Sequence, residues 1–287
     1  MKKWIVLFFI VLIIGYGVTE YKADVDQQTP LEIEYDVQDE LIQESHVAIQ
    51  ITDEQVYTGN LLLVNKDHAV PVTSKAFETV KLSAHPQLTT DFSLLDDSIR
   101  LTSFLIDKFS NMIEAAKNDG ITHFMISSGY RDKLEQNQLF QEMGAQYALP
   151  AGYSEHNLGL SLDIGSTQGK MEHAAEGKWL MNHAWEHGFI LRYPEDKTAI
   201  TGIVYEPWHF RYVGLPHSAI MYDKDFVLEE YLDYLREQKS ITATIDGQVY
   251  EIFYYAISHD TWIDIPQDVE YEISGDNMSG VIVTVRH

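Results

Sequence analysis

The sequence predicts an α+β fold with a β-rich tail, and three observations carry that expectation. Between residues 98 and 238, amphipathic stretches of helical period alternate with short apolar runs of strand length. From residue 240 onward the helical period disappears. Ile241, Tyr250, Ile252, Phe253, Tyr255, Ile257, Ile263, Ile265, Ile273, Val281, Ile282 and Val283 sit there among turn signals at Asp246-Gly247, Ser274-Gly275 and Ser279-Gly280. Hydrophobic residues make up 45% of the chain and aromatics 12%, enough to build a packed core.

Taken in order, the chain begins with Lys2 and Lys3, followed by an uncharged, mostly apolar run over residues 4–18. A positive start before such a run is an export signal. The run is shorter than the about 18–20 residues of a spanning helix, and no clear small-x-small cleavage site follows it. Residues 1–18 therefore read as a signal-anchor, with a cleaved signal peptide as the alternative. With the lysines inside, the remainder lies outside the cytoplasm on a single-pass membrane attachment. Residues 19–44 are acidic and polar and read as a poorly ordered tether.

Residues 45–98 read as a mostly extended lead-in. A helix is expected over 98–118, with Leu101, Phe104, Leu105, Phe109, Met112, Ile113 and Ala116 on one stripe and Gly120 as C-cap. Residues 121–126 read as a buried strand leading into Ser127-Ser128-Gly129-Tyr130-Arg131. Asp132 is the expected N-cap of a second helix reaching towards residue 145. Further on, 160–164 alternates as a strand, 176–187 is helical and stopped by Gly188, and 189–193 is a strand. Residues 203–213 read as a strand interrupted at Pro207, and 216–238 as one long helix or two shorter ones.

The formal charge is −24, from 44 acidic against 20 basic residues. That balance excludes a nucleic-acid partner, because phosphate contacts need clustered Lys and Arg. The chain has no cysteine, which removes thiol catalysis, cysteine-bound zinc and iron–sulfur clusters.

The chemistry concentrates in Tyr153-Ser154-Glu155-His156-Asn157-Leu158-Gly159-Leu160-Ser161-Leu162-Asp163 and in Glu206-Pro207-Trp208-His209. Strand alternation puts Leu160, Leu162 and Ile164 on one face and Ser161 and Asp163 on the other. Gly159 permits a turn that brings His156 back beside Asp163. One histidine among twelve is more often a surface residue than a ligand. The second run changes the odds, because His209 supplies a third zinc donor and leaves a position open for water. Glu206 is then a spare carboxylate able to take a proton. In an ideal strand an offset of three points to opposite sides, so both residues reach one cavity only if the chain kinks at Pro207-Trp208.

Ser154-x-His156-x-x-Gly159-x-Ser161-x-Asp163, then Glu206-x-Trp208-His209, preceded by Ser128-x-Tyr130-Arg131 and Gln136, resembles the VanY family of zinc carboxypeptidases. The match covers roughly residues 55–240 and keeps three separated motifs in the family's order. The resemblance implies a zinc D,D-peptidase core with a small antiparallel sheet flanked by helices over 45–239, with 240–287 as a small β-rich C-terminal module. It implies one zinc ion on His156, Asp163 and His209, with Glu206 as catalytic base. Arg131 would meet charge on the substrate; Gln136, Ser154, Ser161, Tyr130 and Trp208 would contact the peptide or shape the pocket. Alanine is common in the family where this chain has Ser161.

The activity implied is removal of the terminal D-Ala from peptidoglycan precursor stem peptides ending in D-Ala-D-Ala, contributing to glycopeptide (vancomycin) resistance. It is the activity class of the serine-type D-Ala-D-Ala carboxypeptidases, but metal-dependent. The alternatives are an L,D-carboxypeptidase, a D,D-dipeptidase of cell-wall peptides, or a non-catalytic wall-binding module. Glu206 argues against the last, because binding alone needs no base.

Overall fold

The computed structural model describes residues 33–36, 46–72, 78–144, 148–257 and 259–287. The expected anchor at 1–18 and most of the tether at 19–44 lie outside the described residues. Among those described, no helix is long and apolar enough to cross a membrane. One piece of the expected tether is strand β1 (Glu34–Asp36), which is held by strand pairing rather than left loose.

Strands β2 (His46–Ile51), β3 (Thr79–Lys81), β4 (Ser93–Leu94) and β5 (Arg100–Thr102) are spaced by short 3-10 turns through the lead-in. The first long helix, α1 (Ser103–Asn118), starts later than its apolar stripe suggests, because residues 100–102 pair with β3 instead. Thr102 is extended, and its hydroxyl accepts the Leu105 amide at 3.2 Å, which fixes the helix start. Leu105, Phe109, Met112, Ile113 and Ala116 are buried as the stripe requires. Phe104 is 41% exposed, because so close to the helix start it lies at the edge of the stripe.

Next come β6 (Phe124–Ser128), α2 (Lys133–Met143), β7 (Ser161–Ser166), α3 (Ala175–His183), β8 (Phe189–Leu191), α4 (Thr198–Thr201) and β9 (His209–Tyr212). The site's sheet runs in the order β4-β6-β7-β9-β8. All its neighbours are antiparallel except β4 with β6, so the sheet is mixed at that one edge. Phe124, Ile126, Leu162, Ile164 and Phe210 turn one face towards α1 and α3 and form a single apolar cluster with them. At roughly 25 cal/mol per Å² of apolar surface, each such side chain contributes about 2 kcal/mol on burial. The opposite face carries the polar positions of the same strands.

Two helices follow, α5 (His217–Asp223) and α6 (Leu228–Gln238), so the 216–238 stretch is divided. The tail then forms β10 (Ser240–Ile245), β11 (Gln248–Ala256), β12 (Thr261–Pro266), β13 (Glu270–Gly275) and β14 (Gly280–Arg286). Four of these join β1 in an antiparallel sheet ordered β1-β10-β11-β14-β13, and β12 pairs with β2. Leu228, Tyr231, Leu232 and Leu235 of α6 pack on Ile241, Ala243, Ile252 and Ile282 together with Leu61, Leu63 and Val213. Residues 33–287 accordingly fold as one compact unit, with the tail's sheet built partly on segments that precede residue 240.

Candidate metal centre

Register places the first two donors. Asp163 on β7 stands directly opposite His209 on β9, and on its other side it pairs with Ser128 of β6, next to a bulge. Asp163 Oδ1 is 3.2 Å from His209 Nδ1. His156 arrives from a one-turn 3-10 helix, Glu155–Asn157, capped by Ser154, and Gly159 (φ +74°) turns the chain into β7. His156 Nε2 then lies 3.3 Å from Asp163 Oδ1. Its Nδ1 is 2.7 Å from the Gly129 carbonyl oxygen, which can only accept, so the ring proton sits on Nδ1 and Nε2 offers a lone pair.

Three electron-pair donor atoms, His156 Nε2, Asp163 Oδ1 and His209 Nδ1, therefore converge on one point. Asp163 Oδ1 is buried with no hydrogen-bond partner. Donors held about 2 Å from a tetrahedral zinc ion stand about 3.3 Å apart, which is the spacing of both pairs. One ligand atom from each of His156, Asp163 and His209 falls within 4.8 Å of the others. The residues present fit a single zinc ion.

The electrostatics agree. Burial works against the ionised form of Asp163, yet His156 and His209 outweigh it and hold the carboxyl well below its usual range. For His209, burial would lower the pKa, but Asp163, Glu155 and Glu206 overcome it and push it up to about 9. The carboxylates around His209 therefore favour a positive charge at this point. Burial and the Arg131 charge hold His156 in its neutral form, ready to bind.

Glu206 meets the centre through the expected kink. The chain turns back between 206 and 209, with the His209 amide donating to the Glu206 carbonyl at 3.2 Å. The turn leaves Glu206 Oε2 3.5 Å from His209 Nδ1. Burial, aided by Asp163 and Glu155 and opposed by His209 and Arg131, pushes the Glu206 carboxyl up to about 7. Trp208, in the same turn, is 39% exposed and so remains available to a ligand.

Arg131 enters from the loop between β6 and α2. Asp132 caps α2 by accepting the Leu134 and Glu135 amides, both at 2.9 Å, and Glu135 returns a bond to the Asp132 amide. This fixes Arg131 just ahead of the helix and Gln136 one turn into it. Arg131 Nε donates to Gln136 Oε1 at 2.9 Å, and Nη1 donates to Ser128 Oγ at 2.5 Å, 3.8 Å from Asp163 Oδ2. Its Nη2 makes no hydrogen bond among the described residues and can bind an external anion.

Several expected substrate contacts are placed differently. Gln136 is buried, with Oε1 on Arg131 and Nε2 on the Leu149 carbonyl at 2.6 Å, so it orients the guanidinium rather than presenting itself to a peptide. Ser161 is fully buried and donates to Glu155 Oε2 at 3.0 Å, because the polar face of β7 at that position meets a carboxylate, not the pocket. Ser154 accepts the His156 amide at 3.3 Å as a cap. The Tyr130 ring packs against the Arg100 guanidinium, 5.5 Å from its centroid.

Sequence reasoning missed the group behind His209. Glu155, Arg192 and Arg211 are all fully buried. Arg192 Nε and Arg211 Nη1 both donate to Glu155 Oε1, at 2.8 and 2.7 Å, and Arg192 also forms a two-pronged pair with Glu229 at 2.8 Å. The Tyr193 ring lies 4.8 Å from that of His209. The one available signal was Arg211, two positions from His209 and hence on the same face of the strand.

Comparison with known proteins agrees with this geometry. Residues 98–215 match the family described as VanY: D-alanyl-D-alanine carboxypeptidase. A D-alanyl-D-alanine carboxypeptidase from Enterococcus faecium is 59% identical over 235 residues, 82% of this chain and 78% of that protein. The bifunctional D-Ala-D-Ala dipeptidase and carboxypeptidase VanXYC of Enterococcus gallinarum is 45% identical over 62% of this chain and 96% of its own. Among solved structures, the D,D-dipeptidase VanXYg in complex with a D-Ala-D-Ala phosphinate analogue aligns with TM-score 0.73 and 28% identity, over 85% of this chain and 100% of that one. A VanY D,D-pentapeptidase from a VanB-type resistance cassette, in complex with Zn(II), aligns with TM-score 0.51 and 29% identity, over 60% and 98%. Its fold, its converging donors and its close relatives together place the chain in the VanY family of D-alanyl-D-alanine carboxypeptidases.

Proposed function

We propose that this carboxypeptidase is zinc-dependent and removes the terminal D-Ala from peptidoglycan stem peptides ending in D-Ala-D-Ala, contributing to glycopeptide resistance. The observation that carries the reading is the meeting of His156 Nε2, Asp163 Oδ1 and His209 Nδ1, with Glu206 3.5 Å from the last of them. A bound zinc ion would supply Lewis-acid polarisation of the scissile carbonyl and acidify water.

This chain's own residues do the rest. Glu206 accepts the proton of the attacking water, since its raised pKa makes it a base matched to neutral pH, and it returns that proton to the departing amine. Arg131, oriented by Ser128 and Gln136, directs its free Nη2 at negative charge on the peptide: its terminal carboxylate or the developing oxyanion. Partial burial of Arg131 strengthens that attraction by keeping water away.

The test is release of D-Ala from a pentapeptide by purified protein starting near residue 33, with and without chelator. Chelator-resistant turnover would sink the zinc reading. A second reading, D,D-dipeptidase activity, is supported by the likeness to VanXYC and VanXYg, and D-Ala-D-Ala dipeptide in the same assay decides it. The lysines before the apolar run at 4–18 support a membrane attachment with the catalytic part outside the cytoplasm. Finding the full chain in the cytosolic fraction would refute that placement.

A further inference from the structure

We propose that Glu155 is a positioning residue for His209, holding that imidazole with its proton on Nε2 so that Nδ1 faces Asp163 as a metal donor. The inference rests on the zinc reading above and assigns a task to a residue outside the donor set.

His209 can bind an ion through Nδ1 only if Nδ1 carries a lone pair, so the ring proton must be stabilised at Nε2. Nε2 is buried and has no aligned hydrogen-bond partner. The group facing it is Glu155 Oε2 at 3.4 Å. An ionised carboxylate only accepts, so it favours the tautomer with hydrogen on Nε2 and disfavours the other. A carboxylate behind a metal-binding imidazole is the usual means of fixing such a ring.

The surroundings of Glu155 keep it ionised and immobile. Its side chain is fully buried, which would normally drive it neutral. Arg192 and Arg211 saturate Oε1, while Ser161 donates to Oε2 and leaves that oxygen turned to His209. Arg211 Nη2 is itself anchored on the carbonyls of Asn60 and Leu62, at 2.8 and 2.9 Å, and Glu229 fixes the far side of Arg192. The Arg192 amide also donates to the His209 carbonyl at 3.1 Å, so the backbone and ring of His209 are held through the same residue. Buried ion pairs of this kind add little net stability over a well-packed apolar core. Fixing one ring in one tautomer is a task that apolar side chains could not perform.

The test uses the zinc-loaded full chain and long-range proton–nitrogen NMR of its histidines. The expected result is a slowly exchanging proton on His209 Nε2 with Nδ1 bound to the metal. In Glu155→Gln, the zinc dissociation constant read by competition with a chelating dye should rise about 10–100-fold, and the Nε2 proton should exchange faster. Should Glu155→Gln fail to fold, the wild-type spectrum still decides. A His209 proton on Nδ1, or a folded Glu155→Gln with wild-type zinc affinity, overturns the inference while leaving zinc catalysis standing. Wild-type protein that binds no zinc overturns both readings.

Discussion

Asp163 and His209 face each other across β7 and β9, with Asp163 Oδ1 3.2 Å from His209 Nδ1. One cross-strand pair thus supplies two of the three donors of the candidate metal centre, on strands whose other faces are the apolar core. Any change that slips the register of this pair dismantles the centre, because a one-residue shift of either strand sends its own donor to the opposite face, away from the other.

Glu206→Gln should lower kcat by about 10²–10⁴-fold, the range of a lost general base, while zinc content is retained. Stopped assays of D-Ala release with parallel metal analysis check this. Near-normal turnover with metal bound would remove Glu206 from its role. For the unaltered protein, activity should fall on acidification as Glu206 gains a proton. Its carboxyl, at about 7 without the ion, would be drawn lower by a neighbouring cation, so the acid limb should lie at or below that value.

Zinc affinity should strengthen by about tenfold per pH unit below about 9, because each ion displaces the proton on His209. The same raised pKa has a consequence for the metal-free protein. The stability that His209 contributes by holding its proton is complete below its unfolded value of 6.5 and is lost as pH rises towards about 9. Zinc titrations at pH 6, 7 and 8 and thermal melts of the apo form read the two effects. A pH-independent dissociation constant would contradict the first.

Arg131→Lys should restore little of what Arg131→Ala loses. Lysine keeps the charge but cannot bond Gln136, Ser128 and a substrate anion through one planar group. Both variants should bind zinc and should raise KM or depress kcat by about tenfold or more, the scale of one charge-assisted hydrogen bond. A Lys variant with wild-type kcat/KM would show that charge alone suffices.

Gly129→Ala should cost about 1–3 kcal/mol, as overpacking does, and should weaken zinc binding as well. A Cβ there would collide with the Arg100 carbonyl oxygen and lie 2.7 Å from Leu101 Cδ2. The loop must then shift, taking with it the Gly129 carbonyl that holds His156 Nδ1. Denaturant unfolding and a zinc titration measure the two losses; unchanged values for both would refute the account.

Removing one side of the buried ion group should be severe. Arg192→Met leaves Glu155 and Glu229 each short of a partner, at a cost of about 3–5 kcal/mol. A melting temperature within a degree or two of wild type would show that the group contributes no such protection.

By itself the sequence singled out His156, Asp163 and His209 as candidate donors, Glu206 as candidate base and Arg131 as candidate anion receptor, since each lies in a short run whose residue types and spacing suit that chemistry. It also determined most helices and the β character of the tail, which follow from local periodicity and turn residues. Only the tertiary structure decided that Ser161 and Gln136 support other side chains instead of facing substrate, and that residues 34–36 belong to a sheet. It alone assembled Glu155, Arg192, Arg211 and Glu229 behind His209. The physical reason is separation. Alternation says which side of a strand a residue occupies, but what waits on that side comes from segments tens of residues away. A charged residue in a sequence reads as a solvated surface group until the fold shows the opposite charge buried beside it.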